Sequence, residues 1–591
     1  MDPKKYYTEN LDHLRSRQNR LTILLNWLSF FRLAIMALTI FFLVKGIKHD
    51  SLLIVILSAL LFIGFFIIVS YHKKKDDERK ITREKIKINE DELLSLEGNY
   101  QSFYKGQEFL DPEHEFTYDL DIFGPDSLYQ FICRCCTFEG RKALASRFLN
   151  SPMQEEDIIR NQEIHTELSK KPGFIQEYLA TGNVIEEKAE ESEQIKKWMD
   201  RNFNPIPRKA SILAVLLMGL NTTIIVLSFF MDGIINYLLL SAIASWLLYG
   251  IFFSAINRYH SDFGKKQETI RKYNRLSIVL ANEGFHQNLL EEYTMKAGNS
   301  IKSIRQLEKL MDLFDTRLNL LMGAILNTIF LLDFHLIYKL EKWKKKNSGL
   351  LKDIFTIHAE TDAYISGAIY QFNHPEFIRP VPVTKGFNGK ELGHPLMKPG
   401  KCIPNDFCFE KDENIILITG ANMAGKSTFL RTIGVNLILA GSGYNVMARK
   451  FEFDIHPLIT GMRTTDSLAE SESYFYAELK RLKRIMDRLR NNEKLYILLD
   501  EILKGTNSTD KHKGSEELLK QMAEYDSKVF IATHDLELGK LEDQSPEKIR
   551  NYHFESYISQ DELVFDYKIQ KGIAVNMNAS FLLKKMEILK N

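Results

Sequence analysis

The stretch Gly420-Ala421-Asn422-Met423-Ala424-Gly425-Lys426-Ser427-Thr428 follows a run of branched aliphatics, NIILIT, and leads into TFLRTIGVNLILA. A buried strand, a glycine-bearing loop and an apolar helix in that order match the P-loop pattern, a cradle for phosphate. Gly420 and Gly425 let the backbone curl so that its N–H groups and the helix N-terminus face phosphate oxygens. Lys426 supplies a cation for the β- and γ-phosphates, and Ser427 a hydroxyl for a divalent metal. The whole loop from Gly420 to Thr428 is therefore expected to line a nucleotide.

Two further strand-like runs end in groups that suit phosphate chemistry. LYILLD (495–500) closes on Asp500-Glu501. A carboxylate at the tip of the neighbouring strand can hold Mg²⁺, and a second beside it can polarise an attacking water. KVFIAT (528–533) ends at His534, placed to sense a γ-phosphate or to position water. Asp500 and Ser427 are the expected metal ligands, with Glu501, Lys426 and His534 as the chemical groups.

Four apolar runs lie upstream of these residues. Leu52–Tyr71, Ile212–Met231 and Ile234–Ile256 carry no charge, and Leu21–Val44 carries only Arg32. Each is long enough to cross roughly 30 Å of hydrocarbon as a helix. The connections KGIKHDS and DG are short, so the runs pair as two transmembrane hairpins. Lys4, Lys5, Arg15, Arg17 and Arg20 before the first, KKKDDERK after it, and Arg208, Lys209, Arg258, Lys265 and Lys266 around the second put the soluble parts on the cytoplasmic side. A fifth run from Leu318 is broken by Asn319 and Asn327 and ends at Asp333, and is read as a buried helix.

Composition adds limits. In 591 residues, Lys+Arg 78 against Asp+Glu 77 leave a formal net charge of +1, so nucleic-acid binding must rest on local patches. Candidates are KKWMDRNFNPIPRK (196–209), KKQETIRKYNR (265–275) and KLEKWKKK (339–346). Lys and Arg beside membrane spans also serve topology and anionic headgroups. The five cysteines lack zinc-site spacing, and a reducing compartment without a cleavable signal peptide is expected.

The order of motifs, with DEILKGTNSTD after the second strand and ATHDLEL after the third, resembles the ATPase domain of the MutS mismatch-repair family. That family's loop reads GPNMxGKST, and here Ala421 replaces the proline. Leu503-Lys504 and Asn507 vary its DEIGRGTST segment. GHP (393–395) and IPND (403–406) look like the segments leading into the family's nucleotide pocket. RTTDSLAESESYFYAELKRL (463–482) is similar to the family's signature segment, with Ser471 in place of a glycine. By that match Ser473 reaches across a dimer to the partner's ATP. SLYQFICRCCTFEGRKALASRFLNSP (127–152) looks like the start of the family's helical core and lever, through Thr137, Gly140, Leu144 and Pro152.

The resemblance implies an α/β ABC-type P-loop ATPase domain joined to an all-α lever and core domain with transmembrane helical hairpins. ATP and Mg²⁺ are its implied ligands. The expected organisation is a cytoplasmic tail (1–20), hairpin one (21–72), a charged linker (73–120), helical core and lever (121–209 and 258–384) around hairpin two (210–257), and the ATPase domain (385–591). Hairpin two falls where relatives carry their DNA clamp, and no counterpart of the mismatch-reading domain precedes the core. The implied function is a membrane-anchored homodimeric ATPase that moves a clamp on DNA, with other repair proteins as partners. A tether acting on a protein partner is the alternative. An ABC-type transporter would need a contiguous membrane bundle and an LSGGQ-like signature, and neither is present.

Overall fold

The computed structural model describes residues 2–201, 206–264, 266–398, 400–410, 412–463, 474–504, 507–559 and 562–575. Asp2 opens the first helix by accepting from the Lys4 N–H at 3.0 Å, with Pro3 in the first turn. The helix then runs unbroken from Pro3 to Lys48. After a turn, Leu52–Leu96 returns antiparallel to it. Their outer halves expose Trp27, Phe30, Phe31, Phe62 and Phe66. Their inner halves form a two-helix stalk around Leu11, Leu14 and Ile86, edged by Arg15–Glu90 and Arg17–Glu78 at 2.7 Å.

Residues 1–20 and 73–96, read from sequence as tail and linker, thus belong to these helices. The run KKKDDERK is helical because its opposite charges fall three and four apart, as in Lys75–Glu78, Arg79–Asp76 and Lys80–Asp76. The rest of the supposed linker is also structured. Tyr100, Phe116, Leu120, Ile122 and Phe123 are buried in the same core as Ile416, Leu430 and Leu498 of the C-terminal domain.

The helical body packs Phe138–Leu149, Glu155–Ser169, Pro172–Asn183, Gln267–Ala281 and Asn288–Asp315 around the 42-residue helix Leu332–Asn373. Asp362 of that long helix is fully buried and accepts from the Cys136 and Thr137 backbone and the Thr137 hydroxyl. Gly140 is required beside it, since a Cβ there would stand 2.4 Å from the Asp362 carboxylate. The stalk is keyed to this body by Arg134–Glu92 at 2.5 Å and by Tyr7 to Asn373 at 2.8 Å.

Pro3–Lys48, Leu52–Leu96, Arg208–Leu227 and Asn236–Asp262 are long and apolar enough to cross a membrane by length and composition. The fifth run differs from its expectation. Leu318 and Leu321 are 71% and 73% exposed, so the helix Leu320–Ile329 is not buried. It lies against the second apolar pair and meets the long helix at a bend of 82°.

From residue 381 the chain is α/β. Strands β1 (Val381–Val383), β2 (Phe387–Leu392), β3 (Asn405–Cys408) and β5 (Lys450–Asp454) form a four-stranded sheet. Strands β4 (Ile415–Gly420), β6 (Leu458–Gly461), β7 (Tyr496–Asp500), β8 (Lys528–Ala532), β9 (Ile549–Ser559) and β10 (Glu562–Lys571) form a second, ordered β10-β9-β4-β8-β7-β6. All its pairs are parallel except β9–β10. Such strands are buried on both faces and read as unbroken apolar runs, as Ile415–Ile418 does.

Candidate functional site

The loop between β4 and the helix Lys426–Gly441 is shaped by its glycines. Gly420 has φ +146° and Gly425 φ +112°, and a Cβ on Gly420 would stand 2.6 Å from the Phe554 carbonyl. Met423 between them is also left-handed, at φ +67°. With glycine at its N-cap, the helix has no side-chain cap, which leaves its first-turn N–H groups open to an anion. Lys426 is buried, and its Nζ donates to the Gly420 and Ala421 carbonyls at 2.8 and 2.9 Å. Burial lowers its pKa, against the pull of Asp500 and Glu501.

A cleft of about 880 Å³ opens over this loop. That is within the usual range for small-molecule sites, roughly 300–1,000 Å³. Asn422, Met423, Gly425, Lys426, Ser427 and Thr428 line it, as do Asp500, Glu501 and His534. Ala421 and Ala424 instead pack into the core behind the loop, and Gly420 acts through its carbonyl on Lys426.

Strand order corrects one expectation. The strand beside β4 on this side is β8, which delivers His534, and β7 with Asp500 is one place further out. The two tips are joined by the Glu501 N–H donating to the Ala532 carbonyl at 2.9 Å. His534 Nε2 lies 3.2 Å from the Glu501 carboxylate and 3.4 Å from Lys426 Nζ. Burial first, then the Lys426 cation, hold the His534 imidazole below its usual pKa, while Glu501 pulls the other way. Lys504 and Lys511 each stand 4.0 Å from Glu501.

The opposite wall comes from His394, Met397, Lys401, Ile403 and Asn405 and from Phe554 and Tyr567. Asn405 ties this wall to β10, donating to the Tyr567 carbonyl at 3.0 Å and accepting from Ile569 at 2.9 Å. Burial and the nearby Arg431 cation push His394 down to about 4, so it is neutral near pH 7. Its Nδ1 accepts from the Leu396 N–H, which leaves Nε2 as the protonated nitrogen.

Two carboxylates that sequence reading passed over organise the site. Glu478, on the helix Tyr474–Arg490, accepts from the Leu503 and Lys504 N–H groups at 2.6 and 3.1 Å and so holds the loop that carries Glu501. Asp119 has no exposed surface and accepts from the Thr460 hydroxyl and from the Met462 and Arg463 N–H groups. Beside it Asp121 pairs with Arg431 and Arg463. The segment that joins stalk to helical body is thereby latched to the root of the signature segment. Ser473 lies outside the described residues.

The basic stretches are mostly engaged within the chain. Lys272 pairs with Glu187, Arg271 with Asp312, Arg275 with Asp77 and Lys196 with Glu139. Trp343 is buried in the helical body and donates to the Ser303 carbonyl at 3.0 Å. Lys344 is buried against Glu341, whereas Lys339, Lys342, Lys345 and Lys346 are exposed.

The geometry fits an anionic nucleotide with a divalent cation. Among the described residues no cluster of three or more His, Cys, Asp or Glu side chains could hold a metal alone. A cation at Ser427 and Asp500 would need phosphate oxygens to complete its shell, as Mg²⁺ in nucleotide sites does.

Residues 416–587 match the family described as MutS domain V. The chain is similar to the DNA mismatch repair protein MutS of Oceanobacillus iheyensis, 29% identical over 255 residues, 41% of this chain and 28% of that protein. The same-named protein of Thermotoga maritima is 26% identical over 305 residues, 51% of this chain and 35% of the relative. That of Chlorobium phaeovibrioides is 32% identical over 188 residues, covering 31% and 21%. The similarity thus spans about a third or less of each relative's length. The match to MutS domain V thus covers the C-terminal region whose glycine loop, Asp500-Glu501 pair and His534 gather at one cleft.

Proposed function

We propose that the protein is a membrane-anchored, homodimeric MutS-type ATPase. The observation that carries this reading is the convergence of Lys426, Ser427, Asp500, Glu501 and His534 on one cleft at an uncapped helix N-terminus. The loop N–H groups and Lys426 bind the phosphate chain. Ser427 and Asp500 would hold Mg²⁺, which would neutralise charge on the phosphate oxygens. Glu501 accepts a proton from, or orients, the attacking water, and neutral His534 fixes the Glu501 carboxylate and meets the γ-phosphate. Tyr567, 41% exposed at the cleft mouth, offers a ring face to the base. Ser473 acts on the partner's nucleotide.

The exposed aromatic and aliphatic faces of the two hairpins support anchoring, because contiguous apolar surface of this extent is foreign to a water-exposed monomer. The stalk and the Asp119 latch then join bilayer to ATPase. Closure of the ATPase pair would move the lever on DNA, the ligand that the relatives' names make the first to test. One observation favours the protein-tether reading beside it. The exposed lysines Lys339, Lys342, Lys345 and Lys346 lie within about four turns of the start of their helix at Leu332, where anionic headgroups compete for them.

Purified protein in nanodiscs provides the test. Glu501→Gln should bind ATP with little hydrolysis and Lys426→Ala should bind it weakly; undiminished turnover in both removes this site from the mechanism. Retention of matched, mismatched or branched duplex at two salt concentrations, with and without ATP, separates DNA from a protein partner.

A further inference from the structure

Arg317 and Asp333 bracket the apolar run LNLLMGAILNTIFLL and meet in a buried ion pair, Nε to Oδ2 at 3.2 Å. The chain therefore returns to the point from which it left. Between them the helix Leu320–Ile329 has ten residues. Its rise is about 15 Å, half of the roughly 30 Å of a bilayer's hydrocarbon. Leu331, left-handed at φ +47°, turns the chain back into Leu332–Asn373.

Several polar atoms of this turn find partners within the protein. Asn221, fully buried on the helix Arg208–Leu227, donates to the Thr328 and Ile329 carbonyls at 3.3 and 2.9 Å. These are among the carbonyls that a helix end leaves without partners. Asn319 accepts from the Met322 N–H, and Asn327 from the Asp333 N–H at 3.0 Å. Trp246 donates to the Thr328 hydroxyl at 2.8 Å. The two asparagines that interrupt the run in sequence thus serve as caps, the condition for broken helix at membrane depth.

Depth is consistent from both sides. Arg317 donates to Asn257 Oδ1 at 2.6 Å, near the charged end of Asn236–Gly264, whereas Thr328 meets Trp246. Asn257 and Trp246 are separated along their helix by about 16 Å, matching the half-helix itself. Its outward residues Leu321 and Ile325 are 73% and 51% exposed, as are Leu216 and Leu247 of the helices it packs against, at 64% and 66%.

We infer that residues 318–331 form a re-entrant half-helix seated in the hydrocarbon of the ATPase-side leaflet, with lipid acyl chains as its partner. This rests on the membrane reading of the hairpins. The test places an NBD fluorophore on Leu321→Cys, Ile325→Cys or the hairpin control Leu247→Cys. The background is full-length Cys402→Ser/Cys408→Ser, since Cys133, Cys135 and Cys136 are buried. Reconstitution is in phosphatidylcholine/phosphatidylglycerol vesicles carrying nitroxide at a shallow or a deep acyl position. Both half-helix labels should be quenched, Leu321 by the shallow and Ile325 by the deep probe, about 6 Å apart in depth. Quenching at Leu247 with none at Leu321 and Ile325 overturns the inference. So does disulfide capture of Ile325→Cys between subunits, which would make this face a contact with a second copy. No quenching at any of the three sinks the membrane reading and the inference with it.

Discussion

Glu478→Ala should disable catalysis without touching a phosphate contact. Glu478 is 8% exposed, and its carboxylate holds the Leu503 and Lys504 N–H groups. Hydrogen bonds to a charged group contribute about 1.5–3 kcal/mol each, so the pair supplies roughly 3–6 kcal/mol to this loop geometry. That geometry is strained, because Glu501 and Leu503 are left-handed at φ +55° and +58°. A non-glycine residue there costs about 1–2 kcal/mol, or roughly 2–4 kcal/mol together. The two sums are comparable, so removing the carboxylate lets the loop relax and Glu501 leave His534. If regaining the productive form then costs about 2–2.7 kcal/mol, kcat falls about 30- to 100-fold. KM for ATP should stay within about twofold, since the glycine loop and Lys426 are untouched. Steady-state ATPase assays in nanodiscs across an ATP series measure both constants. Glu478→Gln, which keeps one acceptor oxygen, should recover part of kcat. Wild-type kcat in Glu478→Ala, or a loss confined to KM, would refute the reasoning.

Other outcomes follow from buried polar groups. Asp119→Asn turns an acceptor into a partial donor facing N–H groups and Arg481, and should destabilise by about 2–3 kcal/mol. Faster proteolysis within residues 97–126 would report the opened latch, and an unchanged digestion pattern would refute it. Stability should also fall as pH drops from 6.5 towards 4. Burial holds His165 and His358 at about 3 against an ordinary value of 6.5, so below pH 6.5 the unfolded chain binds protons that the folded chain refuses. At pH 5 each costs about 2 kcal/mol. Thermal melts of wild type and His358→Gln between pH 7 and 5 should show a shallower decline in the variant; parallel curves would rule this out.

Local features were legible because local sequence encodes them. The glycine loop needs left-handed backbone at Gly420 and Gly425, and β4 is buried on both faces, so composition alone marks strand, loop and helix. The long apolar helices were legible from length, and the family from motif order. The stalk was missed for a physical reason: mixed charge at spacings of three and four supports a helix as well as a linker. The Leu318 run was misread because its asparagines looked incompatible with an apolar setting, and their capping partners lie elsewhere in the chain.

The sequence by itself pointed to the residues proposed to hold phosphate and metal, and to the helices that can be apolar on all sides. Tertiary structure decided that β8 rather than β7 flanks β4, that Glu478 holds the Glu501 loop, and that Asp119 ties the segment after the stalk to the signature root. It also closed Arg317 onto Asp333. Each of these is a pairing between residues distant in sequence or a choice of strand order. Such choices are made by the packing of the whole core, and an isolated Asp or Glu in a sequence carries no sign of the backbone N–H it will meet.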